Sequence, residues 1–243
     1  MTIYYKINKH MKLAVLSDIH GNFDALEAVL REARAGQADR LLVLGDSVGY
    51  YYQPGQVMQA LAEWDTEMIR GNHEEILCRL IDDPSLEPAI TRKYGSGHRC
   101  AVDQLDAAQI SLLRSLPETK RISIGPVSLL LCHGSPWDAG QYIYPDAAEE
   151  VLKRFDDYPA HFILFGHTHY ACCFKTRSGL AVNPGSVGQS REKGGQASWA
   201  LIDTANRTVR FRNTPYDSAA LEAQAAKLDP DHSYGRMILT RNS

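Results

Sequence analysis

The chain has 243 residues, of which 44% are hydrophobic and 23% charged, and a formal net charge of −3; this is enough to bury a sizeable α/β core, with no basic field for tight nucleic-acid binding. No apolar stretch approaches the roughly 18–20 residues that cross a bilayer, and the opening MTIYYKINKH lacks the apolar centre of a secretory leader. Five scattered cysteines do not make a disulfide framework, so the expected setting is a reducing cytoplasm, with no membrane partner.

Residues 1–10 read as an N-terminal arm, and residues 11–243 as one domain. Leu13–Gly21, LAVLSDIHG, is an apolar run ended by glycine, the pattern of a buried strand. Asp18 and His20 lie at its carboxyl end, and on extended chain positions i and i+2 face the same way. After Asn22, the apolar positions Phe23, Leu26, Val29, Leu30 and Ala33 recur at helical spacing, with Gly36 as the stop. LLVLGD (41–46) is a second buried strand, so the unit implies a parallel, right-handed crossover. A helix is expected over Pro54–Trp64, and TEMIRGNHEE (66–75) gives a short strand ending in Gly71-Asn72-His73.

Residues 74–117 are helical in pattern, broken by Pro84, Pro88, Gly95 and Gly97, and read as several short helices beside the site; Asp106 and Gln109 have the spacing of a capping box. Strands return in a hairpin about Gly125-Pro126 ending in His133-Gly134, then, after a short helix over 146–155, in HFILFGHTH (161–169). ACCFKT, GLAVNP and a hairpin over 197–213 follow, and the Ala-rich tail from Asp217 to Leu228 is helical. βα units first and hairpins later predict an α/β fold of two packed sheets with helices outside.

Five apolar strands thus end in Asp18-x-His20, Gly45-Asp46, Gly71-Asn72-His73, His133-Gly134 and Gly166-His167-Thr168-His169. In parallel α/β sheets, ligand sites gather beyond the carboxyl ends of strands, which pools these residues at one place. The donors are then Asp18, His20, Asp46, Asn72, His133, His167 and His169. Seven are too many for one tetrahedral zinc and suit two cations sharing a carboxylate. Mixed nitrogen and oxygen ligands favour Mn²⁺, Fe²⁺, Co²⁺, Ni²⁺ or Zn²⁺, with Mn²⁺ the leading expectation. Two metals roughly 3.5–4 Å apart are the apparatus of phosphoryl-ester hydrolysis.

With these five blocks in this order, the sequence resembles the calcineurin-like metallophosphoesterases, whose pattern is D-x-H, G-D, G-N-H-E, H-G and G-H-x-H. The resemblance runs over roughly residues 12–203, and Asn183–Gln189, NPGSVGQ, is similar to the small bacterial phosphodiesterase branch. It implies a four-layer α/β/β/α sandwich of two mixed sheets. It also implies one metal held by Asp18, His20, Asp46 and His169, and a second held by Asp46, Asn72, His133 and His167, with Asp46 bridging. A hydroxide between the metals would attack phosphorus directly, and His73 would protonate the leaving oxygen or steady the transition state.

One departure bears on substrate. Phosphoprotein phosphatases of the superfamily carry an Asp and an Arg three and four residues after the bridging Asp, where this chain has Gly49 and Tyr50. Without that Arg a dianionic monoester is less well served than a singly charged diester. Arg191 is a candidate to bind substrate phosphate, as are the backbone N–H groups of the turn GSVGQS before it. Of Tyr50, Tyr51 and Tyr52, at least one is expected to pack rather than face the site; His10, His98, His161 and His232 match no block and read as ordinary. The expected activity is hydrolysis of a small or nucleotide-like phosphodiester. The alternatives are a phosphomonoesterase or protein phosphatase, a dinucleoside-polyphosphate hydrolase, and a non-catalytic interaction scaffold.

Overall fold

The computed structural model describes residues 10–242, so all of the expected N-terminal arm except His10 lies outside the described residues. The chain opens with β1 (Lys12–Leu16), α1 (Phe23–Ala35), β2 (Arg40–Val43), α2 (Pro54–Ala62) and β3 (Thr66–Met68). Four helices follow: α3 (Asn72–Asp82), α4 (Glu87–Tyr94), α5 (Gly97–Gln104) and α6 (Ala107–Ser115). Then come β4 (Thr119–Ile124), β5 (Val127–Cys132), α7 (Glu149–Lys153), β6 (Phe162–Leu164), β7 (Ala171–Lys175) and β8 (Leu180–Pro184). The hairpin β9 (Gln196–Asp203) and β10 (Thr208–Pro215) leads to α8 (Ala219–Leu228) and α9 (Ser233–Leu239).

Two five-stranded mixed sheets result, in the orders β10-β9-β1-β2-β3 and β4-β5-β6-β8-β7. In the first, β1, β2 and β3 are parallel neighbours, with β9 and β10 antiparallel beyond β1. In the second, β5, β6 and β8 are parallel, and β4 and β7 close the edges antiparallel.

The strand sequences explain the layering. Side chains alternate across a strand, so Leu13 and Val15 of β1 face one way and Ala14 and Leu16 the other. The first pair meets Leu129, Leu131 and Phe162 between the sheets. The second pair packs under Leu26, Val29 and Leu30 of α1. A separate cluster around Leu130, Ile163, Phe165 and Phe155 covers the outer face of the second sheet. Both faces of the central strands are buried, which is why they read as unbroken apolar runs rather than alternating ones. Each such Leu, Ile or Phe taken out of water contributes about 1.5–3 kcal/mol.

Two local differences from the sequence reading matter. The strand before Gly71 ends at Met68, and Asn72 and His73 form the first turn of α3 instead of a strand end. The reason is a helix start in which the Glu74 carboxylate reaches back to accept from Gly71 N at 2.8 Å. α9 had no counterpart in the sequence reading. Among the described residues no helix is long and apolar enough to cross a membrane.

Candidate metal centre

The carboxyl ends of β1, β2, β5 and β6, with the start of α3, converge on one point between the two sheets. Gly166 makes the closest approach possible: a β-carbon there would collide with Ser17 Oγ, so only glycine lets the β6 end lie against the β1 end. His167 N then donates to Asp18 Oδ2 at 3.0 Å, joining residues 149 positions apart.

Asp18 and His20 do not meet because they alternate on a strand. β1 stops at Leu16, and both residues have left-handed backbones, with φ of 55° and 54°. Asp46, His167 and His169 share that conformation, so five of the seven donors stand where non-glycine residues are disfavoured by about 1–3 kcal/mol each. The strain is held by specific hydrogen bonds. Asp18 N donates to Gly45 O at 3.2 Å and His20 N to Asp46 O at 2.9 Å. Asp18 O accepts from Gly188 N at 3.0 Å and from Ser186 Oγ at 2.7 Å.

Six of the seven donors are buried, and Asn72 is half-buried. They form two groups of mutually close ligand atoms, Asp18–His20–His169 and Asp46–His133–His167; Asn72 Oδ1 joins the second at 3.1 Å from His133 Nε2. His20 also forms a close group with Asp46 and His73, which places Asp46 between the two sets.

The ring nitrogens test whether cations fit. His20 Nδ1 lies 3.2 Å from Val48 O, His133 Nδ1 2.7 Å from Leu44 O, and His169 Nδ1 2.9 Å from Gln189 O. Each Nδ1–H therefore donates to a carbonyl, and each Nε2 is left as a lone pair pointing inward. Yet His20 Nε2 and His169 Nε2 face each other at 3.2 Å, and His133 Nε2 faces Asp46 Oδ2 at 3.2 Å. Asp18 Oδ1 faces His169 Nε2 at 3.2 Å. Acceptors so opposed repel unless positive charge lies among them, and borderline nitrogen with hard oxygen is a divalent transition-metal donor set. The residues fit such ions.

The electrostatics point the same way. Burial opposes ionisation of Asp18 and Asp46, but the surrounding imidazoles, His169 for the first and His133 for the second, hold both carboxyls well below the usual range. Burial opposes charging of His133 too, yet Asp46 and Asp18 push it up to about 10: the carboxylates call for positive charge at Nε2, which either a proton or a bound cation would supply. His20 and His167, where burial prevails, fall to about 3 and about 4.

His73 lies beside the donors, its ring centroid 4.7 Å from that of His20, and its backbone N donates to Asp46 Oδ1 at 2.8 Å. Burial drives its pKa well below the usual imidazole value despite the charge of Asp46. Among the described residues no carboxylate hydrogen-bonds to its ring. Gly49 has φ of +89°, and the space its side chain would fill holds Nδ1 of His73. The imidazole is wedged between aromatic rings instead. His98 stacks on it at 5.0 Å and 14°, and Tyr94 and Tyr50 flank it at 4.9 and 5.0 Å. His98 is thus not an ordinary surface residue: it is fully buried, burial lowers it to about 4, and only the fold brings it to His73.

Glu74 emerges as a second supporting residue. Fully buried, it accepts from the backbone N–H of Asp46, Ser47 and Gly71 at 2.8, 2.6 and 2.8 Å, so one carboxylate ties the β2 and β3 ends together. Burial, and then the charge of Asp46, raise its pKa to about 7.

Arg191 is half-buried, has no carboxylate partner among the described residues, and lies over the Tyr234 ring at 5.4 Å. Four of the six N–H groups in the turn before it are already engaged: Gly185 N, Val187 N, Gly188 N and Gln189 N donate to Asn183 Oδ1, Ser17 O, Asp18 O and Ser186 Oγ. Tyr50 faces the site, whereas Tyr51 and Tyr52 are buried and bond Gly235 O and Asp229 Oδ2, docking the C-terminal helices.

Residues 11–207 match the sequence profile of the calcineurin-like phosphoesterase superfamily domain, and the chain belongs to that superfamily. It is 26% identical over 223 residues to an uncharacterised protein of Methanocaldococcus jannaschii, a match covering 84% of this chain and 88% of the relative. Its fold is similar to the crystal structure of a hypothetical protein from Pyrococcus horikoshii, with a TM-score of 0.79, 26% identity and coverage of 94% and 97% of the two chains. A metallophosphoesterase from Sphaerobacter thermophilus is similar at a TM-score of 0.77 and 26% identity, over 95% of this chain and 98% of that one.

Proposed function

We propose that the chain is a phosphodiesterase that hydrolyses a small or nucleotide-like phosphoester with two divalent metal ions. The observation that carries this reading is the meeting of two donor groups at Asp46 with His73 held against them. Asp18, His20, Asp46 and His169 would hold one ion, and Asp46, Asn72, His133 and His167 the other. Such ions supply an activated water at neutral pH and offset charge on the phosphoryl oxygens.

The chain's own residues do the rest. His73 Nδ1 is buried against Gly49 without a hydrogen-bond partner, so Nε2 is the nitrogen that can meet a leaving oxygen and carry or share its proton. His98 and Tyr94 fix that ring by packing, the part a carboxylate plays elsewhere in the superfamily. Arg191 binds a non-bridging phosphoryl oxygen. One guanidinium at the site's edge, with Tyr50 where a second would stand, favours a monoanionic diester over a dianionic monoester.

The test is turnover of bis(p-nitrophenyl) phosphate and of p-nitrophenyl phosphate by protein loaded with Mn²⁺, against chelated protein. The expected result is metal-dependent hydrolysis with a higher kcat/KM on the diester. Absence of metal-dependent turnover of either would refute the hydrolase reading, and preference for the monoester would refute the diester one.

A further inference from the structure

Between β5 and α7 the chain crosses the mouth of the metal centre as an irregular but fixed loop. Asp138 organises it: its carbonyl accepts from Ser135 N at 2.9 Å and from Gln141 N at 3.2 Å, and its Oδ1 accepts from Gly140 N at 2.9 Å. The three residues after Gln141 alternate in burial. Ile143 is fully buried in the outer core of the second sheet, while Tyr142 and Tyr144 are 52% and 42% exposed. One anchor therefore presents two rings on the same side. They stack at 6.0 Å and 13°, and Tyr170, next to His169, braces Tyr144 edge-on at 6.1 Å. The Tyr142 ring centroid lies 3.9 Å from that of His167.

Folding does not call for these two rings at the surface, since Ile143 alone supplies the burial. They form a flat, rigid, solvent-facing ledge touching a proposed metal ligand. The ledge touches His167, of the Asp46–His133–His167 group, whereas His73 packs against His20, of the other group, and against Tyr50 and Tyr94. With the leaving oxygen at His73, beside the first donor group, the retained arm is the one that can reach the ledge beside the second. Arg191 lies over the Tyr234 ring at 5.4 Å, and Tyr234 lies 6.1 Å from Tyr50, so a cation stands on the same aromatic rim.

We propose that Tyr142 and Tyr144 are a base-stacking subsite, and that the substrate is a phosphodiester whose retained arm is a nucleoside. The inference rests on the hydrolase reading above and adds the chemistry of the arm. An exposed pair of parallel tyrosines suits a planar heterocycle, because every nucleobase has a π-face to stack and hydrogen bonds need not specify it.

Two diesters with one leaving group test it: thymidine 5′-(p-nitrophenyl phosphate) and methyl p-nitrophenyl phosphate, on the full chain loaded with Mn²⁺. The expected kcat/KM ratio is about tenfold to a hundredfold in favour of the thymidine ester. In Tyr142→Ala the ratio falls to about threefold or less, in Tyr144→Ala it falls part of the way, and Tyr142→Phe keeps it. The ratio cancels any difference in the fraction of folded enzyme. A ratio near one in the unmodified chain, an undiminished ratio in both alanine variants, or its loss in Tyr142→Phe overturns the subsite. Should neither ester turn over, the hydrolase reading falls, and calorimetric binding of thymidine 5′-phosphate against methyl phosphate decides the ledge separately. Binding at least tenfold tighter for the nucleotide supports it, and equal binding overturns it.

Discussion

The floor of the site and its rim are built on opposite plans. The floor is buried apart from Asn72, made of seven donors at the ends of strands and the start of α3, five of them held in left-handed conformations by hydrogen bonds between loops. The rim is aromatic and partly exposed: Tyr50, Tyr94, Tyr142, Tyr144, Tyr170 and Tyr234 come from five separate stretches of chain and touch mainly one another and the histidines. A buried set of charges tolerates little change, because each donor removed leaves another uncompensated. A surface of stacked rings can vary in its reach without disturbing what lies beneath. The floor sets the chemistry, and the rim sets what is admitted to it.

That contrast is sharpest at Asp46. Asp46→Asn is expected to lower kcat by about a thousandfold or more and to reduce bound metal measured by elemental analysis, since this carboxylate faces both donor groups. His73→Ala should lower kcat by about a hundredfold to ten-thousandfold while metal content stays at the level of the unmodified chain. A loss of metal in that variant would make His73 a ligand, an assignment the His20–Asp46–His73 geometry also permits. His98→Ala should lower kcat by about tenfold with little change in KM, and His98→Phe, which keeps a ring against His73, should recover most of it. Arg191→Ala should act on the rim alone, raising KM by about tenfold with a smaller change in kcat. The smallest effect on turnover is expected at Glu74→Gln, which weakens the tie among three backbone N–H groups. There the readout is thermal unfolding, with a loss of about 1–3 kcal/mol. If Arg191→Ala also abolished the rise in melting temperature that Mn²⁺ gives, floor and rim would not be separable.

The same division marks what could be read from the sequence. The apolar runs ending in Asp18, Asp46, His133 and His167 announced both the sheets and the place where ligands gather, because strand ends of a parallel sheet lie side by side whatever connects them. The local conformation at those ends was misread: Asp18 and His20 were expected to align by strand alternation, and they align by two left-handed residues instead. Sequence spacing reports a period, and a strained turn has none. Asn72 and His73 were placed on a strand because the run before them is apolar, whereas Glu74 starts a helix there.

The rim was almost invisible. Tyr142 and Tyr144 belong to no periodic segment, and the partner of Tyr142, His167, comes from beyond the end of β6. His98 read as ordinary because its significance lies in Gly49, whose missing side chain leaves the room that His73 and His98 fill. Departures from a family pattern mark such places: the glycine where phosphoprotein phosphatases of the superfamily carry Asp was the one legible sign that another group holds the His73 imidazole. Most of the N–H groups of GSVGQS expected to face phosphate are engaged within the protein for a related reason, since Gly188 serves a close crossing of two loops.

The docking of the last two helices has a consequence for how the molecule is made. α8 and α9 lie beyond the stretch that matches the superfamily, yet Asp229 accepts from Tyr52 and Ser96, and α9 carries the Tyr234 ring towards Tyr50. On the ribosome every donor to the ions has emerged once His169 is clear, while the opening through which an ester must pass is not finished until some seventy residues later. A nascent chain therefore acquires the means to capture cations before it acquires the shape that chooses what they act upon.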